Sequence, residues 1–355
     1  MVETISDIGE FGLIRRIRSL LAAEGIRPKR VVVGIGDDAA SFLPRSGYEL
    51  LVTCDSMVEG RHYPPGFIGG FDLGRRAMTS NISDIGAMGG MPLYALVSLG
   101  LRGDAPVSEV EDLYRGFLAE LNPLRASVVG GNLTDSGDGM FIDITLIGEA
   151  PKGKVVRRNG ARPGDVILVT GYPGRAAAGL QLLLSKPNDA RLSGDPLVRA
   201  YAVPSHRALV GQAAARTGYV TAMIDTSDGL AGDLSHICEE SGVGADLFKE
   251  MVPLDGALAN AAALLGLDPY DLILGASDDY ELIITCKEHH VPALQSIAGA
   301  QAVPLTEVGR ITDGRGVSLV LPDGERRSLP CARWDHFRPA SSKSSGSPSS
   351  PVSRP

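Results

Sequence analysis

The 355-residue chain is 44% hydrophobic and carries 34 Lys and Arg against 42 Asp and Glu, a formal net charge of -8. That is enough apolar material for two cores, and the acidic balance excludes duplex nucleic acid, whose affinity for proteins rests on phosphate neutralisation by Lys and Arg. Cys54, Cys238, Cys286 and Cys331 form no CxxC pair, which argues against a zinc site or a disulfide framework and fits a reducing cytoplasm.

The start, MVETISDIGEF, is acidic and does not read as a signal peptide. FGLIRRIRSLLAAEG predicts an amphipathic helix with Phe11, Ile14, Ile17 and Leu21 near one face, ended by Gly25 and Pro28. RVVVGIG and ELLVTCD read as strands, the first as a buried one. Yet VVVGIGDDAASF runs three valines straight into Asp37 and Asp38. Adjacent carboxylates repel, so an arginine, a helix N-terminus or a metal ion should compensate them. The run Asp72 to Met88 is helical in pattern and GGMP stops it. LYALVSLGL is a strand and Ser108 to Leu121 a helix. ASVVGGN and MFIDITLIGEA are strands, the latter alternating Ile142, Ile144 and Leu146 against Asp143 and Thr145, so that one face is wetter.

PKGKVVRRNGARPGD is a Gly-, Pro- and cation-rich loop, and the domain boundary is placed here. The first domain is thus residues 1–150 and the second 151–338. The second half restarts with DVILVTG, then gives helices near 173–185, 205–216 and 228–241 and strands AMIDT, YELIITC and VSLVLP. Strands and helices mix without a strict βαβ rhythm, which predicts two α+β domains with mixed sheets rather than a doubly wound fold. The Ser/Pro-rich tail, 339–355, cannot repay its ordering entropy and is expected to be disordered. No stretch approaches the ~18 apolar residues of a membrane span.

Several phosphate-handling signatures are absent. There is no GxxxxGK[ST] loop, no GxGxxG opening a helix, no protein-kinase catalytic loop and no GxSxG elbow. What recurs is aspartate after an apolar strand or in a short polar motif: Asp37 and Asp38, Asp55, Asp84, Asp225 and Asp228, Asp278 and Asp279. Any one of these is more often a helix N-cap or turn former than a ligand. The set, with oxygen donors and no nearby Cys–His pattern, points to Mg²⁺ rather than zinc. His62 in EGRHYPP is either a loop histidine or a substrate contact. Arg157 and Arg158 are either a solvated cluster or a phosphate clamp. Gly130 and Gly131 before Asn132 permit either close phosphate approach or a tight turn, and Trp334 either packs or closes a pocket.

GEFGLI, GIGDDAA, DSMVEGRHY, NISDIGAMGGMP, VVGGN, RRNGARPGD, IDTSDGL, DDYEL and WDHF, in this order over residues 9 to 337, resemble the thiamine-monophosphate kinases of the aminoimidazole ribonucleotide synthetase-like superfamily. The resemblance implies transfer of the γ-phosphoryl of ATP to thiamine monophosphate, giving thiamine diphosphate and ADP, by a cytoplasmic homodimer using several Mg²⁺ ions. It also implies an N-terminal ATP- and Mg-binding domain that dimerises through its sheet. By motif, Asp38, Thr53, Cys54, Asp55, Asp84, Asn132, Asp225 and Asp228 fall at metal positions. Tyr114, Gly131, Asn132, Arg158 and Ser227 fall at ATP positions, and His62, Asp278 and Trp334 at thiamine-substrate positions. Three residues depart from the usual pattern. Asn132 stands where Asp is common, Asp278 where Glu is common, and Cys54 where Thr is common. An acceptor that is itself an ionised phosphate needs no general base. The alternatives are a superfamily sibling with another acceptor, or a module that binds ATP or thiamine phosphates without turnover.

Overall fold

The structure, a computed structural model, describes residues 2–330 apart from 187, 188, 190, 191 and 193. Trp334 and the 339–355 tail lie outside the described residues. Helix α1 (Ile5–Glu24) leads to a two-stranded ribbon, β1 (Val31–Val33) with β2 (Ser41–Phe42). Strand β3 (Tyr48–Val58), helix α2 (Gly70–Ala87), strand β4 (Met91–Leu101), helix α3 (Val107–Leu121), and strands β5 (Ser127–Asp135) and β6 (Phe141–Pro151) follow. They form a four-stranded sheet in the order β3-β6-β4-β5, antiparallel except for the β4–β5 pair. Ile142, Ile144 and Leu146 are fully buried under α2, as their alternation predicts.

Two expectations fail here. The valine run is no core strand: Val32 is 64% exposed, because a two-stranded ribbon has no second layer over both of its faces. In α1 the buried stripe is Leu13, Ile17 and Leu20, while Phe11 is exposed. At about 100° per residue Phe11 lies roughly 120° around the helix from Ile17, off the i, i+4, i+7 stripe that packs; the break at Gly9, φ +67, precedes both residues.

The second half contains β7 (Val166–Thr170), α4 (Arg175–Ser185), α5 (Pro196–Ala202), α6 (Ala208–Thr217), β8 (Val220–Asp225), α7 (Leu230–Ser241) and β9 (Gly244–Phe248). Then come α8 (Gly256–Leu265), α9 (Pro269–Leu274), β10 (Leu282–Cys286), α10 (Val291–Gly299), β11 (Leu305–Thr312), β12 (Gly316–Val320) and β13 (Arg326–Ser328). Its seven-stranded mixed sheet runs β13-β12-β9-β11-β7-β10-β8. Along β7, Ile167 and Val169 face a core built with α4, α5, α7 and α8, while Val166 and Leu168 face one built with α6 and α10. Helices on both faces explain why VILVT is apolar at nearly every position.

Candidate active site

Helix α2 is buried almost all round, between the first sheet, α3 and the second domain. Its close crossing with α6 depends on two glycines. A Cβ on Gly211 would lie 2.2 Å from the Gly86 carbonyl oxygen, and one on Gly86 2.5 Å from the Ala208 Cα. Polar groups on so buried a helix need partners. Ser80 Oγ donates to the Ala77 carbonyl at 3.1 Å, Asn81 Nδ2 to the same oxygen at 3.2 Å, and Ser83 Oγ to the Asp225 carboxylate at 2.6 Å. The last bond crosses between the domains.

Three carboxylates line one cavity there. Asp55 lies on the α2-facing side of β3, Asp84 on the last turns of α2, and Asp225 at the end of β8. Thr53 Oγ1 donates to Asp84 Oδ2 at 2.5 Å. Burial pushes the Asp55 carboxyl up to about 6, helped by the negative charge of Asp84. Asp84 and Asp225 are pushed up by burial and by their acidic neighbours, against the pull of Arg158. Desolvated like charges of this kind are relieved by a cation. The oxygen-only donors of Asp55, Asp84, Asp225 and Thr53 fit Mg²⁺.

Two cavities share this cluster. One, of about 420 Å³, is lined by Thr53, Asp84, Arg157, Arg158, Asn159 and Asp225. The other, of about 550 Å³, also reaches Asp84 and Asp225, and adds Asp55, His62, Arg76 and Asp278. Ser227 and Asp228 line the second cavity too. The arginine loop is pinned to the second domain: the Arg157 carbonyl accepts the Met223 N–H at 3.1 Å, and the Arg158 carbonyl accepts Ser241 Oγ at 3.0 Å. His62 Nδ1 accepts the Val58 N–H at 2.9 Å, so the neutral ring carries its proton on Nε2.

The structure gathers Thr53, Asp55, Asp84, Asp225, Asp228, Ser227, Arg158, His62 and Asp278 along these two cavities and leaves other expected residues elsewhere. Asp38 sits exposed in the loop after β1, its N–H bonded to Asp37 Oδ1 at 2.9 Å. Cys54 turns to the outer face of the first sheet because strand side chains alternate, and its Sγ lies 3.6 Å from the Asp143 carboxylate. Asn132 shares that outer face: the register places Asp143 and Asn132 on either side of Ser98. A Cβ on Gly131 would lie 1.9 Å from the Val97 carbonyl oxygen, so the glycine is already required by strand packing. Tyr114 is a core residue, buried on α3 edge-on to Phe117, and lines neither cavity.

The segment ASDDYEL holds a different kind of acid. Asp279 accepts the Gly174 and Ala176 N–H groups at 2.5 and 2.8 Å, capping α4. Glu281 is held bidentately by Arg207 at 2.6 and 2.5 Å and also accepts Thr170 Oγ1. Asp278 accepts Arg76 Nη2 at 2.5 Å. Between them Tyr280 adopts φ +53, unusual for a bulky residue, and donates its N–H to the Thr226 carbonyl at 2.8 Å. Asp279 is thus a structural cap and no metal candidate. Arg76 and Tyr280 both line the larger cavity and are not among the expected site residues: Arg76 stands in a basic pair with Arg75 and outside the quoted motifs, and Tyr280 stands inside the DDYEL motif between acids.

Models of the AIR synthase related protein N-terminal and C-terminal domains match residues 36–150 and 162–322. The thiamine-monophosphate kinase of Bacillus subtilis (strain 168) is 31% identical over 332 residues, 93% of this chain and 99% of that one. A thiamine-monophosphate kinase structure from Stenotrophomonas maltophilia K279a superposes with TM-score 0.77 at 33% identity, covering 90% of this chain and 98% of that one. A structure described as AaThiL complexed with AMPPCP and TMP gives TM-score 0.73 at 32% identity, covering 95% of this chain and 100% of that one. By sequence and by architecture, the chain belongs to the thiamine-monophosphate kinase family of AIR synthase related proteins.

Proposed function

We propose that the protein transfers the γ-phosphoryl group of ATP to the phosphate of thiamine monophosphate, forming thiamine diphosphate and ADP. The observation that carries this reading is that two cavities, one with arginines and one with His62 and Asp278, share the acidic residues Asp84 and Asp225, with Asp55 beside them in the second. A phosphoryl group passing between two anions needs two binding compartments in line and charge relief at their junction. The related structure complexed with AMPPCP, a nucleotide analogue, and TMP supports the choice of ligands.

In this reading Arg157 and Arg158 receive the nucleotide phosphates, and the loop bonds to Met223 and Ser241 hold them in place. Ser227, Asp228, His62 and Asp278 line the acceptor side. Asp55, Asp84 and Asp225, with Thr53, would hold Mg²⁺; bound there, such ions would neutralise the repulsion between donor and acceptor phosphates. Unit charges 4 Å apart repel by about 4 kcal/mol at an effective dielectric of 20, so this relief is a large part of the barrier. The acceptor phosphate is already ionised and asks no side chain for a base.

The outer face of the first sheet supports a homodimer: Leu50 and Val52 are 45% and 65% exposed on it. A second copy would cover that face. Val52→Arg should then convert a dimer to a monomer in light scattering; an unchanged mass would remove this face from the interface. Among the described residues no helix is long and apolar enough to cross a membrane. Purified protein with Mg·ATP and thiamine monophosphate should yield thiamine diphosphate and ADP in equal amounts. Binding of both ligands without product, or product only with a different phosphate acceptor, would overturn the proposal.

A further inference from the structure

Arg76 is 1% exposed, on the stripe of α2 that also presents Ser80 and Asp84 to the second domain. A buried guanidinium is held only where its charge and its donors are matched. Here Nη2 donates to Asp278 Oδ2 at 2.5 Å, Nη1 donates to the Tyr201 carbonyl, and the guanidinium carbon stands 4.3 Å above the Tyr201 ring centre. Nε is buried with no partner among the described residues. Both anchors, Asp278 and Tyr201, belong to the second domain and line the larger cavity. The pair is asymmetric: the Asp278 side chain stays 42% exposed while Arg76 is enclosed. An enclosed cation gripping one oxygen of a half-exposed carboxylate leaves the rest of that carboxylate presented to the cavity.

The neighbouring backbone cannot choose this orientation by itself. Asp279 is drawn to the start of α4 and Glu281 to Arg207, with Tyr280 in a left-handed conformation between them. Those anchors fix the chain on one side of Asp278, and Arg76 supplies the anchor for its side chain from the opposite domain. The smaller cavity, lined by Arg157 and Arg158, does not include Arg76.

We propose that Arg76 is a positioning residue for the acceptor compartment: from inside α2 it fixes the Asp278 carboxylate across the domain interface, so that binding of the phosphate acceptor, and not of the nucleotide, depends on it. This rests on the kinase reading above. Asp278 contacts the acceptor; Arg76 acts through it.

The test is a double-mutant cycle on the full chain with Arg76→Met, Arg76→Lys, Asp278→Asn and Arg76→Met/Asp278→Asn. KM for thiamine monophosphate and for ATP are measured for each, with calorimetric binding of thiamine monophosphate alongside. A charge-assisted hydrogen bond lost through its partner should raise the acceptor KM roughly tenfold to a hundredfold. Arg76→Met should do so while leaving the ATP KM within about twofold, and Arg76→Lys should recover part of the loss. In the Asp278→Asn background the Arg76→Met change should add little, since the two act as one unit. Equal rises in both KM values, or effects of the two substitutions that simply multiply, would overturn the inference with the kinase reading intact. Wild-type protein that binds thiamine monophosphate without turnover would sink the kinase reading alone, and the calorimetric cycle then decides the role of Arg76. Wild-type protein that neither binds nor phosphorylates thiamine monophosphate would overturn both. Should Arg76→Met fail to fold, Arg76→Lys and Asp278→Asn must still raise the acceptor KM selectively; if neither does, the proposal fails.

Discussion

Asp55, Asp84 and Asp225 can be compared with Asp278, Asp279 and Glu281. Both groups are acidic and largely buried, and the first group and Asp278 of the second line the same cleft. In the second group each carboxylate has a counterpart built into the chain: Arg76, the start of α4, and Arg207. In the first group the protein supplies hydroxyls from Thr53 and Ser83 and a shared pull from Arg158, with no ion pair among the described residues; burial raises these carboxyls as it also raises the capped Asp279, so what separates the groups is the missing built-in partner. The contrast teaches that a buried acid is structural where its counter-charge is covalently part of the fold, and is a ligand site where that charge has to arrive from solution.

The sharpest way to break the comparison is to neutralise one member of each group. Glu281→Gln leaves Arg207 buried without its counter-ion and should destabilise the protein by about 3–5 kcal/mol in urea unfolding; a loss below ~1 kcal/mol would show that Glu281 is not structurally committed. Asp84→Asn should do the opposite. Turnover should fall about 10²- to 10³-fold with the circular dichroism spectrum unchanged, and near-wild-type turnover at low Mg²⁺ would remove Asp84 from the metal group.

Mg²⁺ sharpens the contrast further. Saturating the ion at a hundred times its dissociation constant should stabilise wild-type protein by about 2.7 kcal/mol for one site, read as a rise in Tm. Asp84→Asn should mute that rise, and Glu281→Gln should retain it relative to its own lower baseline. Identical responses in the two variants would erase the distinction.

The smallest effect is in pH. Asp55 titrates at about 6 in the folded protein against an ordinary 3.8, so the metal-free fold binds the extra proton below pH 6. Its raised value adds stability at low pH that is lost as pH rises from about 4 through about 6, on the order of 3 kcal/mol. His206, lowered to about 4 by burial and by Arg207 and Arg75, works the other way, adding stability as pH rises towards 6.5. In metal-free protein, Asp55→Asn should therefore tilt the stability profile upward with pH relative to wild type. A parallel profile would place Asp55 in solvent.

Much of the fold is legible from periodicity. The alternation in β6 and the uniform burial of β7 follow from the number of covered faces. Legibility fails where a partner layer is missing or where two stripes of one helix are both apolar: Val31–Val33 has the composition of a core strand and forms a ribbon with Val32 in solvent, and α1 packs by Leu13, Ile17 and Leu20 with Phe11 off that stripe. The same split runs through the site. Asp55, Asp84 and Asp225 are visible as aspartates after apolar runs, yet Asp279 has the same appearance and caps a helix. Arg76 was invisible because its partner lies 202 positions away in the chain.

The amino-acid order alone determined which residues could carry charge, roughly where most strands and helices of the first half lie, and which family the ordered motifs resemble, since these depend on local chemistry and spacing; elements of the second half such as α5, α8–α10, β9 and β11 are not among those it predicts. Tertiary structure decided which carboxylates share a cleft, which are neutralised by arginines from another domain, and which side of a strand a residue such as Cys54 faces. Those outcomes depend on contacts between distant segments and on desolvation, and both exist only after the chain has packed.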